Sequence, residues 1–135
     1  MRHRILDKKL GRSKAHREAL MASLARNLIV EKRIRTTLAK AKSVQRVAER
    51  LVTLARKGTL ASRRLVIARL KDKNQVVELI GKVVPGLEGR AGGFTRIMRL
   101  GRRTGDNAEM ALHEWVGIDV PDKRKKKVAE EPAKS

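Results

Sequence analysis

Apolar residues recur along most of this chain at helical spacing, and toward its end at strand spacing. From Lys14 to about Val30, Leu20, Leu24 and Leu28 return every four residues, and Ala15, Ala19, Met21 and Ile29 widen the stripe. This predicts an amphipathic helix, with Ser13 as its N-cap. Glu31 to Thr37 has weak helix propensity and clustered β-branched residues, so it predicts a short strand or extended link. Thr37 can cap a second helix, Leu38 to Lys57, whose stripe is Ala41, Val44, Val47, Ala48, Leu51, Val52 and Ala55. Gly58 stands at its C′ position. Leu60 to Leu70 predicts a third helix, with Leu65, Ile67 and Leu70 among its apolar positions. Asp72-Lys73-Asn74 reads as a turn, with Asn74 capping a fourth helix from Gln75 to about Val84 that Pro85-Gly86 ends. Val76, Val77, Leu79, Ile80, Val83 and Val84 make that helix apolar almost all round, as a core helix would be.

Gly86 to Gly93 holds four glycines and reads as a loop. Two runs of period two follow. In Phe94 to Leu100, Phe94, Met98 and Leu100 share a face with Arg96. In Glu109 to Ile118, Met110, Leu112, Val116 and Ile118 share a face with Glu114. The turn-rich segment Gly101 to Asn107 joins them, which predicts an antiparallel hairpin. Residues 1–12 show no clear periodicity and are expected to form a basic arm that orders on a partner. Residues 13–120 are expected to form a single globular domain. Residues 121–135, from Asp122-Lys-Arg-Lys-Lys-Lys127 onward, are expected to be a charged, disordered tail. The sum is an α+β fold: about four helices packed on a small sheet that contains the C-terminal hairpin.

Composition narrows the chemistry. Phe94 and Trp115 are the only aromatics among 135 residues, so aliphatic side chains must fill the core. Thirty-four Lys and Arg against fourteen Asp and Glu give a net charge of +20. A free domain with that charge repels itself and calls for a polyanion, nucleic acid above all. A single charge run is ordinarily a solvated face, but that reading cannot absorb the whole excess. There is no cysteine, hence no disulfide, thiol nucleophile or zinc finger. No apolar run approaches membrane-spanning length, and Met1-Arg-His-Arg-Ile-Leu-Asp7 lacks the apolar stretch of a signal peptide. The expectation is a cytoplasmic protein with no membrane association.

Catalysis finds little support. His3, His16 and His113 are scattered over arm, helix and strand, so no metal site is expected. Ser13, Ser23, Ser43, Ser62 and Ser135 lack the surroundings of a nucleophile elbow. The acids Glu18, Glu31 and Glu49 sit beside Lys or Arg on helices, as surface ion pairs do. The glycine loop matches no phosphate-binding motif. No cofactor and no small-molecule substrate are expected.

What remains are basic clusters. Arg2, His3, Arg4, Lys8, Lys9, Arg12, Lys14, His16 and Arg17 load the arm and the first helical turns. Lys32, Arg33 and Arg35 lie in the link, and Lys40 and Lys42 open the second helix. Arg63, Arg64 and Arg69 ride the third. Arg90, Arg96, Arg99, Arg102 and Arg103 belong to the hairpin region. Arginine grips phosphate with a planar fork. Scarce aromatics argue against a base-stacking platform and toward backbone and shape recognition of folded RNA. Rival readings are a nucleoid or other DNA-binding protein, though no helix-turn-helix reader is recognisable, and an enzyme acting on RNA, for which no catalytic set can be assembled.

Several motifs in order carry a resemblance. They are Met1-Arg-His-Arg4, Leu10-Gly-Arg-Ser-Lys-Ala-His-Arg17, Ile34-Arg-Thr-Thr-Leu-Ala-Lys-Ala-Lys42, Val47-Ala-Glu-Arg-Leu-Val52, Gly92-Gly-Phe-Thr-Arg-Ile-Met-Arg-Leu-Gly101 and Arg102-Arg-Thr-Gly-Asp-Asn-Ala-Glu-Met-Ala111. Together they resemble the bacterial-type large-subunit ribosomal protein seventeen (L17) family, over nearly the whole chain up to about Val120. The resemblance implies a non-enzymatic constituent of the large (50S) ribosomal subunit that binds 23S ribosomal RNA near the polypeptide exit region. It also implies contact with large-subunit ribosomal protein thirty-two. By the same resemblance, Arg2, His3, Arg4, Gly11, Arg12, His16 and Arg17 fall in an arm motif facing RNA. Thr36, Thr37, Lys40 and Lys42 fall in a second motif, and Arg96, Arg102 and Arg103 in a hairpin motif. Ile5, Leu6 and Asp7 are less basic than the family's arm.

Overall fold

Ser13 opens the first helix, its hydroxyl accepting from the backbone N–H of His16 at 3.4 Å. The computed structural model describes residues 8–120. Most of the expected arm, with Arg2, His3 and Arg4, and the expected tail lie outside the described residues. Helix α1 (Lys14–Glu31) ends where Lys32 turns left-handed at φ 62°. Strand β1 (Arg33–Thr37) follows, then α2 (Leu38–Arg56) and α3 (Leu60–Leu70). Helix α4 (Lys73–Glu78) runs on through a π-helical turn (Leu79–Val83) and one further turn (Val84–Gly86). Strands β2 (Thr95–Arg102) and β3 (Glu109–Trp115) close the fold. The sheet is antiparallel in the order β1–β3–β2, so the last strand in sequence is the central one. The fold is α+β with a C-terminal hairpin, as the hydrophobic pattern predicts.

The main core joins Leu28 and Ile29 of α1, Val44, Leu51 and Val52 of α2, Val66 and Leu70 of α3, and Leu79 and Val83 of the π turn. Ala25, Ala48 and Ala55 stand among them, and their small side chains let the helices approach closely. Each fully buried Leu or Val contributes about 1.5–3 kcal/mol. Trp115 enters this core from β3, and its indole N–H donates to the Leu28 carbonyl at 2.9 Å. A smaller cluster of Leu38, Ala41 and Ala111, with Ile97 against it, packs α2 on the sheet.

The strand faces sort differently from the simplest reading of the period-two pattern. Alternation puts Ala111, His113 and Trp115 on the helix side, with Ile34 and Ile97 paired to His113. Met110, Leu112 and Glu114 therefore take the opposite, open face, beside Arg33, Arg35, Arg96 and Met98. Both sets of β3 alternate, and the small and aromatic set is the one that fits against close-packed helices. A register shift between Arg99 and Gly101 carries Leu100 to 48% exposure.

Helix α4 also differs. Asp72, not Asn74, caps it: its carboxylate accepts the N–H groups of Asn74 at 2.9 Å and Gln75 at 3.5 Å. A charged acceptor also complements the helix N-terminus, so the helix starts at Lys73. The helical path ends at Gly86, as Pro85-Gly86 predicts, but reaches it through a π turn. The N–H of Val84 reaches back to the Leu79 carbonyl, and Pro85 sits in the first turn of the next helical piece, where its missing N–H costs nothing. Val77 is 60% exposed, so this helix is not buried all round. Leu65 of α3 is likewise exposed, and Val66 takes the core position. Thr37 does stand at the N-cap of α2, but its side chain makes no capping bond. Gly58 follows α2 at φ 66°, the left-handed conformation expected of a C′ glycine.

Candidate nucleic-acid interface

The N-terminal segment folds back before α1 begins. Leu10 packs against the core, and the Arg12 N–H bonds to the Lys9 carbonyl at 3.1 Å. Arg12 turns its guanidinium inward, donating to the Leu10 carbonyl at 2.7 Å, and Arg17 donates to the Arg12 carbonyl at 3.4 Å. Lys8, Lys9, Lys14 and His16 are exposed around that turn. The first turn of α1 holds no acid. Cations there oppose the helix dipole, which costs the isolated helix stability but adds to the attraction for an anion.

Three helices meet in a groove of about 630 Å³. Lys8, Lys14 and Arg17 line one side, Arg46 and Arg50 of α2 another, and Arg69 and Lys71 at the end of α3 the third. Among the described residues, seven cationic side chains thus share the lining with one carboxylate, Glu18. Low-dielectric walls focus such a field and concentrate anions in the groove. The expected residues Lys8, Lys14, Arg17 and Arg69 are brought together here. Arg46, Arg50 and Lys71 were not among the expected site residues. Arg46 and Arg50 lie four residues apart on the α2 face away from its apolar stripe, a signal the sequence carries. Lys71 reaches the groove from a left-handed cap at φ 57°, which no periodicity announces.

The open face of the sheet uses its arginines differently. Arg33 of β1 and Arg96 of β2 are the register partners of Glu114 on β3, one on each side. Arg33 Nε lies 2.6 Å from Glu114 Oε2, and Arg96 Nε lies 3.0 Å from Oε1, with its Nη2 on the same oxygen. The Glu114 carboxylate is buried beneath them. Burial pushes its pKa up, but the hydrogen bonds from Arg96 and Arg33 and their charges outweigh this and hold it below the usual value. In the hairpin loop, Arg103 grips Asp106 with two bonds, 3.0 and 2.5 Å. That pairing and the Ala108 N–H lower Asp106 to about 2. Arg35 is exposed on this face, whereas Arg99 and Arg102, the register partners of Ala111 and Glu109, are exposed at the hairpin end on the other; Lys40 is half-buried and Lys42 exposed at the start of α2. None of these sheet and α2 residues lines the helical groove.

Other expected cations serve the fold. Lys32 is buried, and its ammonium bonds to the Ile29 carbonyl and, at 3.1 Å, to Glu78. Its left-handed backbone turns the side chain under the end of α1. Arg63 and Arg64 are exposed on α3 away from the groove lining, and Arg90 is exposed in the glycine loop. The Arg90 carbonyl accepts from Arg56, whose guanidinium stacks 4.5 Å from the Phe94 ring centre. Glu49 is no surface partner: it accepts from the Thr95 N–H at 3.3 Å and hydroxyl at 3.2 Å, tying α2 to β2. His113 is fully buried, neither ring nitrogen has a hydrogen-bond partner, and desolvation lowers its pKa to about 4. Among the described residues no three His, Asp or Glu side chains converge on a metal position. No described helix is long and apolar enough to cross a membrane.

Comparison with known proteins bears on this surface. The family profile described as Ribosomal protein L17 matches residues 20–116, from within α1 to the end of the sheet. A relative named Large ribosomal subunit protein bL17, from Methylacidiphilum infernorum (isolate V4), is 48% identical over 126 residues. That alignment covers 93% of this chain and 96% of the relative.

Proposed function

Since the chain belongs to the ribosomal protein L17 family, we propose that it is a structural constituent of the large ribosomal subunit that holds 23S ribosomal RNA through its cationic groove, arm and sheet face. The observation that carries the RNA-binding reading is the groove, where, among the described residues, seven cations face one acid. The family supports a structural role in translation, and no catalytic step is assigned. The mechanism is charge neutralisation where RNA helices crowd. Each phosphate that meets a Lys or Arg releases condensed counter-ions, so binding weakens steeply with salt. The folded residues dock as a preformed body, and the basic residues of the arm add phosphate contacts. Lys8, Lys9, Lys14, His16 and Arg17 supply contacts on the helical side. Arg33, Arg35, Arg96, Arg99, Arg102 and Arg103 supply them on the sheet side.

In the subunit the protein lies near the polypeptide exit region, with large-subunit ribosomal protein thirty-two as a neighbour. Sucrose-gradient sedimentation of a lysate with magnesium-supported subunits tests this reading. The protein is expected to travel with the large subunit. Travel with DNA, or residence at the top of the gradient, overturns the assignment. Cross-linking within isolated large subunits tests the location and the neighbour.

A further inference from the structure

Phosphate neutralisation alone does not account for the shape of the helical groove. Beneath the cationic rim its floor is apolar: Met21 and Ala22 of α1, Val47 of α2 and Ala68 of α3. Met21 and Ala22 are 9% and 5% exposed, so the floor is the outer edge of the core itself. A phosphate is polar on every side and gains nothing from such a floor. The volume, about 630 Å³, is that of a small-ligand site. A ligand that matches has one flat, weakly polar part and one anionic part, which describes a single nucleotide.

We propose that this groove receives one unpaired nucleotide displaced from an RNA helix, an inference that rests on the RNA-binding reading above. Its base lies on Met21, Val47 and Ala68, and its phosphates meet Arg50 and Arg69. Unpaired bases are the part of folded RNA that proteins take hold of individually, on aromatic rings or on guanidinium planes. No aromatic ring lines this groove. The thioether of Met21 and the arginine planes provide the polarisable surface instead. Glu18, unfavourable toward phosphate, is suited to accept from a base N–H, and the Ser43 hydroxyl also lines the wall. The groove thereby adds recognition of a local RNA irregularity to a surface otherwise blind to sequence.

The test uses the full chain and two RNA hairpins of equal length, one fully paired and one with a single-nucleotide bulge, read by fluorescence anisotropy at fixed salt. The bulged RNA is expected to bind roughly tenfold tighter, the worth of one modest base-packing contact. Ala68→Leu fills the floor from an exposed helix position without changing charge or adding an aromatic ring. It should bring the ratio of the two affinities, both measured on the variant, to about one. A 4-thiouridine placed at the bulge should cross-link the unaltered protein to peptides of α1, α2 or α3, a readout independent of the variant's folding. Equal affinity for the two hairpins, a preference that survives Ala68→Leu, or cross-links confined to the sheet overturns the nucleotide site while leaving RNA binding intact. Failure to bind either hairpin overturns both readings.

Discussion

In the groove, Arg46, Arg50 and Arg69 share a lining with one carboxylate and four further cations; on the open sheet face, Arg33 and Arg96 share Glu114 between them. The two regions use the same side chain for different ends. Among the described residues the groove lining is predominantly cationic, so its field reaches outward. Charge on the sheet is half-compensated, and its guanidiniums are fixed across three strands before any ligand binds. The groove should therefore govern affinity, and the Glu114 cluster should govern the stability of the sheet. Each variant below either keeps those roles apart or collapses the distinction.

The largest effect belongs to the groove. Arg50→Glu with Arg69→Glu removes two phosphate partners and adds two repulsive charges at exposed positions. Affinity for structured RNA should fall roughly hundredfold, and the salt slope by about 2, with the melting temperature nearly unchanged. Anisotropy titrations over a salt series check both. A small effect here, with a large one for paired substitutions on the sheet, would reverse the assignment of roles.

The next effect lies on the helix side of the sheet and concerns folding alone. His113 is neutral in the folded chain, with a pKa lowered to about 4 from 6.5. Between those values the unfolded chain binds more protons than the folded one. Stability contributed by His113 is thus fully present above pH 6.5 and is lost as pH falls toward 4. Denaturant unfolding should show a loss of about 2 kcal/mol between about pH 7 and pH 5. His113→Phe should flatten that dependence. If it does not, the acid sensitivity originates elsewhere, and the helix side of the sheet is more polar than its packing indicates.

The same two regions show what a sequence can and cannot disclose. Periodicity located α1, α2, α3 and the hairpin, but only in α2 is the apolar stripe largely the packing stripe: Ala15 and Ala19 of α1 and Leu65 of α3 are exposed. It failed where two alternating sets compete, as in β3: Met110, Leu112 and Glu114 have the more hydrophobic look, yet the helices select Ala111, His113 and Trp115. It failed again at α4, where Asp72 out-competed Asn74 as cap and a π turn interrupts the regular helix before its end at Gly86. Composition announced a polyanion partner but could not rank the cations. Lys32, Arg56, Arg33 and Arg103 read the same in one dimension as Arg50 or Lys71. Only the fold gives the first four carboxylate, carbonyl or aromatic partners and places the other two in the groove.

Substituting the acids isolates that ranking at a smaller scale. Glu114→Gln leaves Arg33 and Arg96 with a neutral acceptor and should cost about 1–2 kcal/mol of stability. RNA affinity should stay within about twofold, because the charge gained is offset by loosened arginines. Glu18→Gln should do the opposite for paired RNA: stability unchanged, and affinity raised about threefold as the single acid leaves the groove. Thermal melts and anisotropy on both proteins give the four readings. A rise in affinity for Glu114→Gln as large as for Glu18→Gln would mean that sheet and groove act as one undivided field.

The smallest effect, in the hairpin loop, separates charge from order most cleanly. Arg103 and Asp106 are both about half exposed, so their pair adds nothing measurable to stability despite its two-bond geometry. Asp106 also accepts the Ala108 N–H at 3.3 Å, and Asn can keep that bond. Asp106→Asn therefore changes the charge of the loop while leaving its turn in place. Because Asp106 is held near 2, the native pair persists through the whole working pH range, and binding should show no titration attributable to it. The variant should bind RNA about twofold tighter, as expected when one local repulsion is removed. If affinity falls instead, the guanidinium of Arg103 needs its carboxylate in order to be correctly aimed. The loop then belongs with the sheet, where acids arrange arginines, rather than with the groove, where the acid opposes their hold on phosphate.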